Sequence, residues 1–481
     1  MGGCASTDKN GCGSAPFLSV EPSEGEDHVG HGTRTVVGVR TIGRWGRRAA
    51  ALAVAAAVLV GVTACTGPAA RTPSAATPTP TPPAPAAGAP GTLSPVRLSV
   101  AAGTDPGAAA GRSLSLPRGW TGAVWANVPG ARVAAWSPDG RLAVSTGGRG
   151  DVVLLTPASG TRAPGAAILL RGLQDPQGLA FTVQGGRTVL IVGEGTRITA
   201  WDYSDGRVSN HRVLVAGLPD AGHGAKGVAA HGDAVFYSIG SSGNRVPSDR
   251  GVSPQRATVW RVGLDGHGNR IVASGVRNGF GLAIAPDGTL FTAVNQADEQ
   301  PFPFPGDRFG QVVREYVNEN PVDQVSRLTS GIDLGWPYCV PDTRHGVTEV
   351  PYVDDPEFNP GGKALDCSRL PPTMVGLPAH SAPLGLAFTR DTSLQQTLGD
   401  GALIALHGSW DRQPPRAPSV VYSAWDAARA ALGASTPLVT GFQDADGSRW
   451  GRSVDAVPGP DGSVYVTDDL AGLVYRLTPG G

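Results

Sequence analysis

Charge is scarce in this chain. Charged residues make up 16% of its 481 positions, and 39 basic residues against 40 acidic ones leave a net charge of −1. So dilute and balanced a charge excludes a coiled coil, a charged disordered protein and a long helical array. It also leaves no global basic field to hold nucleic acid or an anionic membrane. No segment shows a helical hydrophobic period of any length. The longest uncharged apolar run, Ala49 to Thr63, is about 15 residues, short of the roughly 20 that a spanning helix needs. What the chain has in quantity is glycine and proline, 69 and 42 respectively, beside an ordinary 40% of hydrophobic residues. Many turns with enough apolar residues to fill a core point to many short strands, and hence to a modular β architecture.

The apolar run belongs to an address. Arg40, Arg44, Arg47 and Arg48 precede it, and Val62-Thr63-Ala64-Cys65 closes it. A basic stretch, an apolar stretch and small residues before a cut describe a secretory signal. The final tetrapeptide resembles the lipobox of bacterial lipoproteins. Residues 40–64 are therefore expected to be removed and Cys65 to be diacylated, two acyl chains sufficing for stable anchoring. This predicts an exported protein, lipid-anchored at the outer face of the bacterial cytoplasmic membrane, that meets the membrane through its anchor alone. Residues 1–39 precede the signal and are expected to lie upstream of the true start, near Val36, Val37 or Val39, or to be disordered. Residues 65–96 are rich in Ala, Pro, Thr and Gly, with a Thr-Pro repeat at 77–83. They cannot bury a core and predict an extended tether.

Of five cysteines, Cys4 and Cys12 lie upstream and Cys65 is the lipid site. Cys339 and Cys367 remain, and in an oxidising compartment they are expected to form one disulfide.

The rest of the chain repeats one unit. Ser137-Pro-Asp-Gly-Arg-Leu-Ala-Val, Ala285-Pro-Asp-Gly-Thr-Leu-Phe-Thr and Gly459-Pro-Asp-Gly-Ser-Val-Tyr-Val nearly superimpose. In each, Pro-Asp-Gly supplies a tight turn and an alternating apolar strand follows. Weaker copies fall at Leu179-Ala-Phe-Thr with Val189-Leu-Ile-Val, at Val228-Ala-Ala-His with Val235-Phe-Tyr-Ser, and at Leu386-Ala-Phe-Thr with Ala402-Leu-Ile-Ala-Leu. Six units of several short strands predict an all-β, six-bladed β-propeller over 97–481. The spacing is uneven, with 148 residues between Asp139 and Asp287 but 174 between Asp287 and Asp461. The surplus places a long insertion, 295–380, between blades four and five.

Four constellations on the connecting loops could carry chemistry. Gly222-His223-Gly224 gives a histidine room to meet a ligand and to act as a base near neutral pH. Arg277-Asn278 between glycines offers a bidentate cationic fork and an amide, suited to carboxylate or quinone oxygens. Asp333-Leu-Gly-Trp336-Pro-Tyr is an aromatic platform in the insertion. Trp450-Gly-Arg452-Ser-Val-Asp455 precedes the last Pro-Asp-Gly.

In this order the motifs resemble the PQQ-dependent sugar dehydrogenases, the family of soluble quinoprotein glucose, aldose and sorbosone dehydrogenases. The resemblance runs from about Gln177 to Leu477. It rests on Gly-x-Arg277-Asn278-x-x-Gly281-Leu, Gly335-Trp-Pro-Tyr, His380-Ser-Ala-Pro-Leu-Gly-Leu, His407-Gly-Ser-Trp and Gly451-Arg-x-x-Asp455. The family fold is a six-bladed propeller. The resemblance implies His223 as the base that takes a proton from a sugar hydroxyl as hydride moves to the quinone. It implies Arg277, Asn278, Asn295, His407 and Arg452 around PQQ. It further implies Ca²⁺ on the backbone carbonyls of Gln296 and Ala297, and Gln177 and Trp336 near the sugar, with a further electron acceptor. Two departures stand out: Val454 replaces a second arginine of the last motif, and His407 stands where the glucose enzyme has a lysine. PQQ carries three carboxylates, so fewer cations should weaken its grip. The alternative reading is a non-catalytic sugar- or glycan-binding propeller that has lost cofactor use.

Overall fold

The computed structural model describes residues 90–480. The expectations for 1–39, for the signal at 40–64, for lipidation of Cys65 and for most of the tether lie outside these residues. The folded body is nearly all β, with two helices of four residues among the described residues, Arg314–Val317 and Gln395–Leu398.

Six small antiparallel sheets form a six-bladed β-propeller. The innermost strands, in chain order, are Ala134–Trp136, Gly178–Gln184, Val228–His231, Gly281–Ile284, Pro383–Phe388 and Ser453–Pro458. Each returns into a second strand, through a short turn in every blade but the fifth, where the connection carries the helix Gln395–Leu398. In the three Pro-Asp-Gly copies the glycine sits at φ +77, +81 and +77. Its N–H donates back to the carbonyl three residues earlier, from Gly140 to Ser137, Gly288 to Ala285 and Gly462 to Gly459. An L-residue would be strained at that φ, which explains the repeated glycine. The last blade is completed by the other end of the chain, since Leu473–Thr478 pairs antiparallel with Thr121–Asn127.

The core is divided into layers between blades. Val189, Ile191, Ile198 and Ala200 of blade two pack with Val228, Val235, Tyr237 and Val262 of blade three. Phe291, Val325 and Val375 of blade four pack with Leu386, Ile404 and Val421 of blade five. Central strands are thus covered on both faces. Leu290–Val294 and Gly401–Leu406 are buried at every residue, and their near-continuous apolar runs follow from that.

Two expectations are corrected. The insertion falls inside blade four, whose second, third and fourth strands are Leu290–Val294, Asp323–Leu328 and Thr373–Leu377. The excursions leave on either side of the third strand, because a blade admits long loops between its strands without disturbing its neighbours. One piece, Ile332–Asp333, extends blade three. The folded body also begins earlier than 97, since Leu93–Arg97 pairs with Ser113–Pro117. Pro95 is accommodated there because the pair is a two-stranded ribbon, where ladder hydrogen bonds can be omitted.

Within the insertion a disulfide joins Cys339 to Cys367, 28 residues apart, and packs with Tyr352. Closing a loop of that size removes unfolded-chain entropy worth about 3.6 kcal/mol. Replacing both cysteines by serine should lower stability by about that amount. The check is a denaturant titration of wild type and variant, and an unchanged midpoint would contradict it.

Candidate active site

Antiparallel pairing brings the start of each innermost strand beside the end of the second strand. Ala134 faces Val144, Gly178 faces Gly193, and Val228 faces Tyr237. Gly281 faces Ala293, Pro383 faces Leu406, and Ser453 faces Asp468. Residues just before the one and just after the other therefore gather at a single mouth of the channel, opposite the Pro-Asp-Gly turns. Arg132, Gln177, Arg277, His380 and Arg452 arrive by the first route, and Asn295, His407 and Asp469 by the second. Below them Phe280, Leu384 and Val454, with Val133 and Ala225 against them, form an apolar floor. Val454 is fully buried there, so the position that departs from the family arginine is part of that floor.

His223 is the best-prepared base at the mouth. Its Nδ1 lies 2.8 Å from Ser241 Oγ. Ser241 Oγ donates its own proton to the Gly243 carbonyl at 2.7 Å. The hydroxyl can therefore only accept from the imidazole, so Nδ1 carries the hydrogen and Nε2 the lone pair. Burial, followed by the positive Arg277 guanidinium, pushes the His223 pKa down to about 4, and the ring is neutral at pH 7. The loop that carries it is clamped from below. Lys226 is buried and its ammonium donates to the carbonyls of Pro219 and Gly224. Arg256 holds the Ala221, Gly240 and Ser241 carbonyls. Gly240 ends the neighbouring strand without a side chain because a Cβ there would stand 2.6 Å from that of His223.

Arg277 is 2% exposed. It donates to the carbonyl and side-chain oxygens of Asn244 and to the Asn295 carbonyl. Three of its five N–H groups are used, and one on each terminal nitrogen remains. Among the described residues the side-chain amides of Asn278 and Asn295 make no hydrogen bond, although the two backbones are joined from Asn295 N–H to Asn278 O. Gln296 N–H donates to Asp323, whose buried carboxyl also receives Ser381 and the Ala382 N–H. Burial raises that carboxyl to about 6. The carbonyls of Gln296 and Ala297 meet no donor among the described residues.

On the opposite side a chain of contacts runs around the rim. Arg452 Nη2 donates to His407 Nδ1 at 2.7 Å, and His407 Nε2 donates to Asp469 at 3.0 Å. Asp469 also receives Arg132, which in turn donates to Gln177 Oε1, while Gln177 donates to Asp175. Burial lowers the His407 pKa and favours this neutral tautomer.

Three expected contacts change meaning here. Both ring nitrogens of His407 are spent on protein, so it serves a ligand only by holding Arg452. Gln177 is similarly engaged at its carbonyl and orients Arg132. Trp336 is 3% exposed and offers no face to a sugar; its carbonyl receives Arg250, which also pairs with Asp333. Burial against blade three, not ligand access, governs that motif. Arg132, Asp469, Ser241 and Lys226 were missed. Asp469 follows its strand by one residue, as Asn295 and His407 do, so the repeat carried that signal; Arg132 lies two residues before its strand, an offset that none of the singled-out residues shares. Nothing local marked Ser241.

A family model described as TrAA12-like matches residues 114–478. The chain is 27% identical over 245 residues to an uncharacterized protein of Borreliella burgdorferi, covering 50% of this chain and 56% of the relative. It is 26% identical over 389 residues to the pyrroloquinoline quinone-dependent pyranose dehydrogenase of Coprinopsis cinerea, covering 70% of this chain and 51% of that enzyme. It thus spans about half the length of these curated relatives. The PQQ domain of the Coprinopsis enzyme superposes with a TM-score of 0.65 at 22% identity, over 79% of this chain and all of that domain. A calcium structure of a family AA12 protein from Trichoderma reesei gives 0.63 at 18%, over 76% and 96%. At these identities the superpositions establish the shared propeller.

His223 should titrate near pH 4 by NMR, far below the ordinary 6.5, and Arg277→Gln should raise that midpoint by removing the neighbouring positive charge. A wild-type midpoint between 6 and 7 would contradict the tautomer and burial described.

Proposed function

The chain belongs to the TrAA12-like family, and from that premise we propose that it is a PQQ-dependent dehydrogenase that oxidises a hydroxyl of a pyranose or related sugar. The observation that carries this reading is the fixed tautomer of His223, a neutral base with its lone pair free beside a half-spent arginine. The coarse activity is supported by kinship with the Coprinopsis pyranose dehydrogenase.

The donor set suits PQQ. Arg277, Arg452 and Arg132 retain unused N–H groups that match carboxylates in bidentate fashion. The Asn278 and Asn295 amides remain available for quinone oxygens. The bare carbonyls of Gln296 and Ala297 are oxygen ligands of the kind Ca²⁺ takes. When bound, PQQ with Ca²⁺ supplies the two-electron acceptor.

The protein's own part is positioning and proton transfer. His223 Nε2 accepts the proton of the hydroxyl being oxidised, and Ser241 keeps the ring in the tautomer that allows it. Arg277 acts twice, stabilising negative charge at the mouth and keeping His223 neutral. His407 and Asp469 orient Arg452, the arginine that the last motif keeps. The apolar floor under Val454 excludes water from beneath. We further place the protein outside the cell, anchored through Cys65 and the Pro-rich stretch that follows it, delivering electrons to a separate acceptor.

The test is reconstitution of purified protein with PQQ and Ca²⁺, followed by dye reduction with a panel of pyranoses. His223→Ala should lower kcat by about 10²–10⁴-fold, and Ser241→Ala should lower it less while leaving KM nearly unchanged. Because His223 stays neutral down to about pH 4, its contribution to the rate should fall only as pH drops toward that value. A failure to bind PQQ, with no turnover of any sugar, would overturn this reading and point to the glycan-binding propeller.

A further inference from the structure

One cluster at the mouth plays no part in the proton transfer. Asp298, His380 and Asp411 each offer one ligand atom, all within 4.8 Å of one another. They come from three loops, after the second strand of blade four, before the first of blade five and after its second. His380 and Asp411 are each 6% exposed.

The imidazole is oriented from outside the cluster. His380 Nε2 lies 2.6 Å from the backbone carbonyl of Val317, in the short helix Arg314–Val317. A carbonyl can only accept, so Nε2 carries a hydrogen and Nδ1 is the nitrogen turned toward Asp298 Oδ1, 3.3 Å away. The two form an ion pair when the ring carries both hydrogens, and a divalent cation would bind there by displacing the Nδ1 proton. A histidine that donates one ring N–H to a backbone carbonyl and aims the other nitrogen at carboxylates has the second-layer arrangement of metal ligands. The spacing also fits: ligand atoms about 2.0–2.1 Å from a tetrahedral zinc ion stand roughly 3.4 Å apart. Asp411 is set in place by the Glu299 N–H and by Arg314.

We propose that Asp298, His380 and Asp411 form a binding site for a divalent cation of the zinc type, distinct from the calcium expected on the Gln296 and Ala297 carbonyls. One imidazole nitrogen with two carboxylate oxygens suits a borderline ion, whereas calcium takes oxygen alone. Three protein ligands leave a fourth position open toward the mouth. The ion would staple the inserted loops of blade four to blade five and so hold the peptide that carries Gln296 and Ala297. The site stands independently of the dehydrogenase reading, because it is built without the quinone.

The experiment titrates metal-stripped, PQQ-free full-length protein with Zn²⁺ by calorimetry, with Co²⁺ as a spectroscopic probe. One equivalent should bind, excess Ca²⁺ should not displace it, and Co²⁺ should show bands of mixed nitrogen and oxygen ligation. His380→Ala and Asp411→Asn should each weaken binding by more than about tenfold. Asp298→Asn, at a side chain that is 18% exposed, tests the same site if the more deeply buried variants fail to fold. Absence of binding to the wild type, binding that all three variants retain, or displacement by Ca²⁺ overturns the proposal. Loss of dehydrogenase activity alone bears on the catalytic reading and leaves this one standing.

Discussion

Every blade is covered on both faces by its neighbours, and the arrangement of this protein follows from that. A sheet enclosed on two sides places most of its polar side chains at its ends and outer edge, with a few such as Thr292 and Gln324 buried in mid-strand. Hence Leu290–Val294 and Gly401–Leu406 are buried throughout, while the residues immediately beyond them, Asn295 and His407, are polar. The packing that stabilises the ring also sorts the chemistry, sending one end of each hairpin to the turns and the other to the mouth.

The mouth solves a second problem, how to hold cations and a neutral base together. Arg277 is surrounded by carbonyl and amide oxygens of Asn244 and Asn295 and approached by Asp298. Its charge is balanced within the protein, yet two donors remain. Arg452 is steered by a neutral histidine, which costs no repulsion. His223 gains from the same economy, since its bond to Ser241 sets the tautomer without adding charge. Protein groups thus do the orienting that a lone arginine or histidine could not achieve on an open loop.

Much of this was legible in the sequence. The three Pro-Asp-Gly copies located turns, and with the weaker copies they counted six blades, because a turn that needs φ > 0 leaves glycine behind wherever it recurs. His223, Arg277, Asn278 and Arg452 stood out because glycines lie close beside them on loops between strands, whereas Asn295 entered only through the family resemblance; the structure brings all five to one mouth. What escaped was long-range. Ser241 matters through its proton, which goes to Gly243, and no spacing reveals that. Trp336 looked like a platform because its neighbours are small, but Arg250 and the outer edge of blade three cover it. The position of the insertion was misread because length between repeats says that residues are extra without saying between which strands they leave.

The last blade has a consequence of its own. Its fourth strand, Thr121–Asn127, precedes every blade in the chain, while its partner Leu473–Thr478 follows the other five. Early residues must wait through the synthesis of the other five blades before their edge is covered. Any protein cut short before residue 473 would carry an open ring with a vacant sheet edge, the kind of edge that pairs with other chains. Synthesis through Leu473–Thr478 is therefore built into the architecture as a condition for closing the ring, and translation that stops before it yields a molecule prone to aggregate.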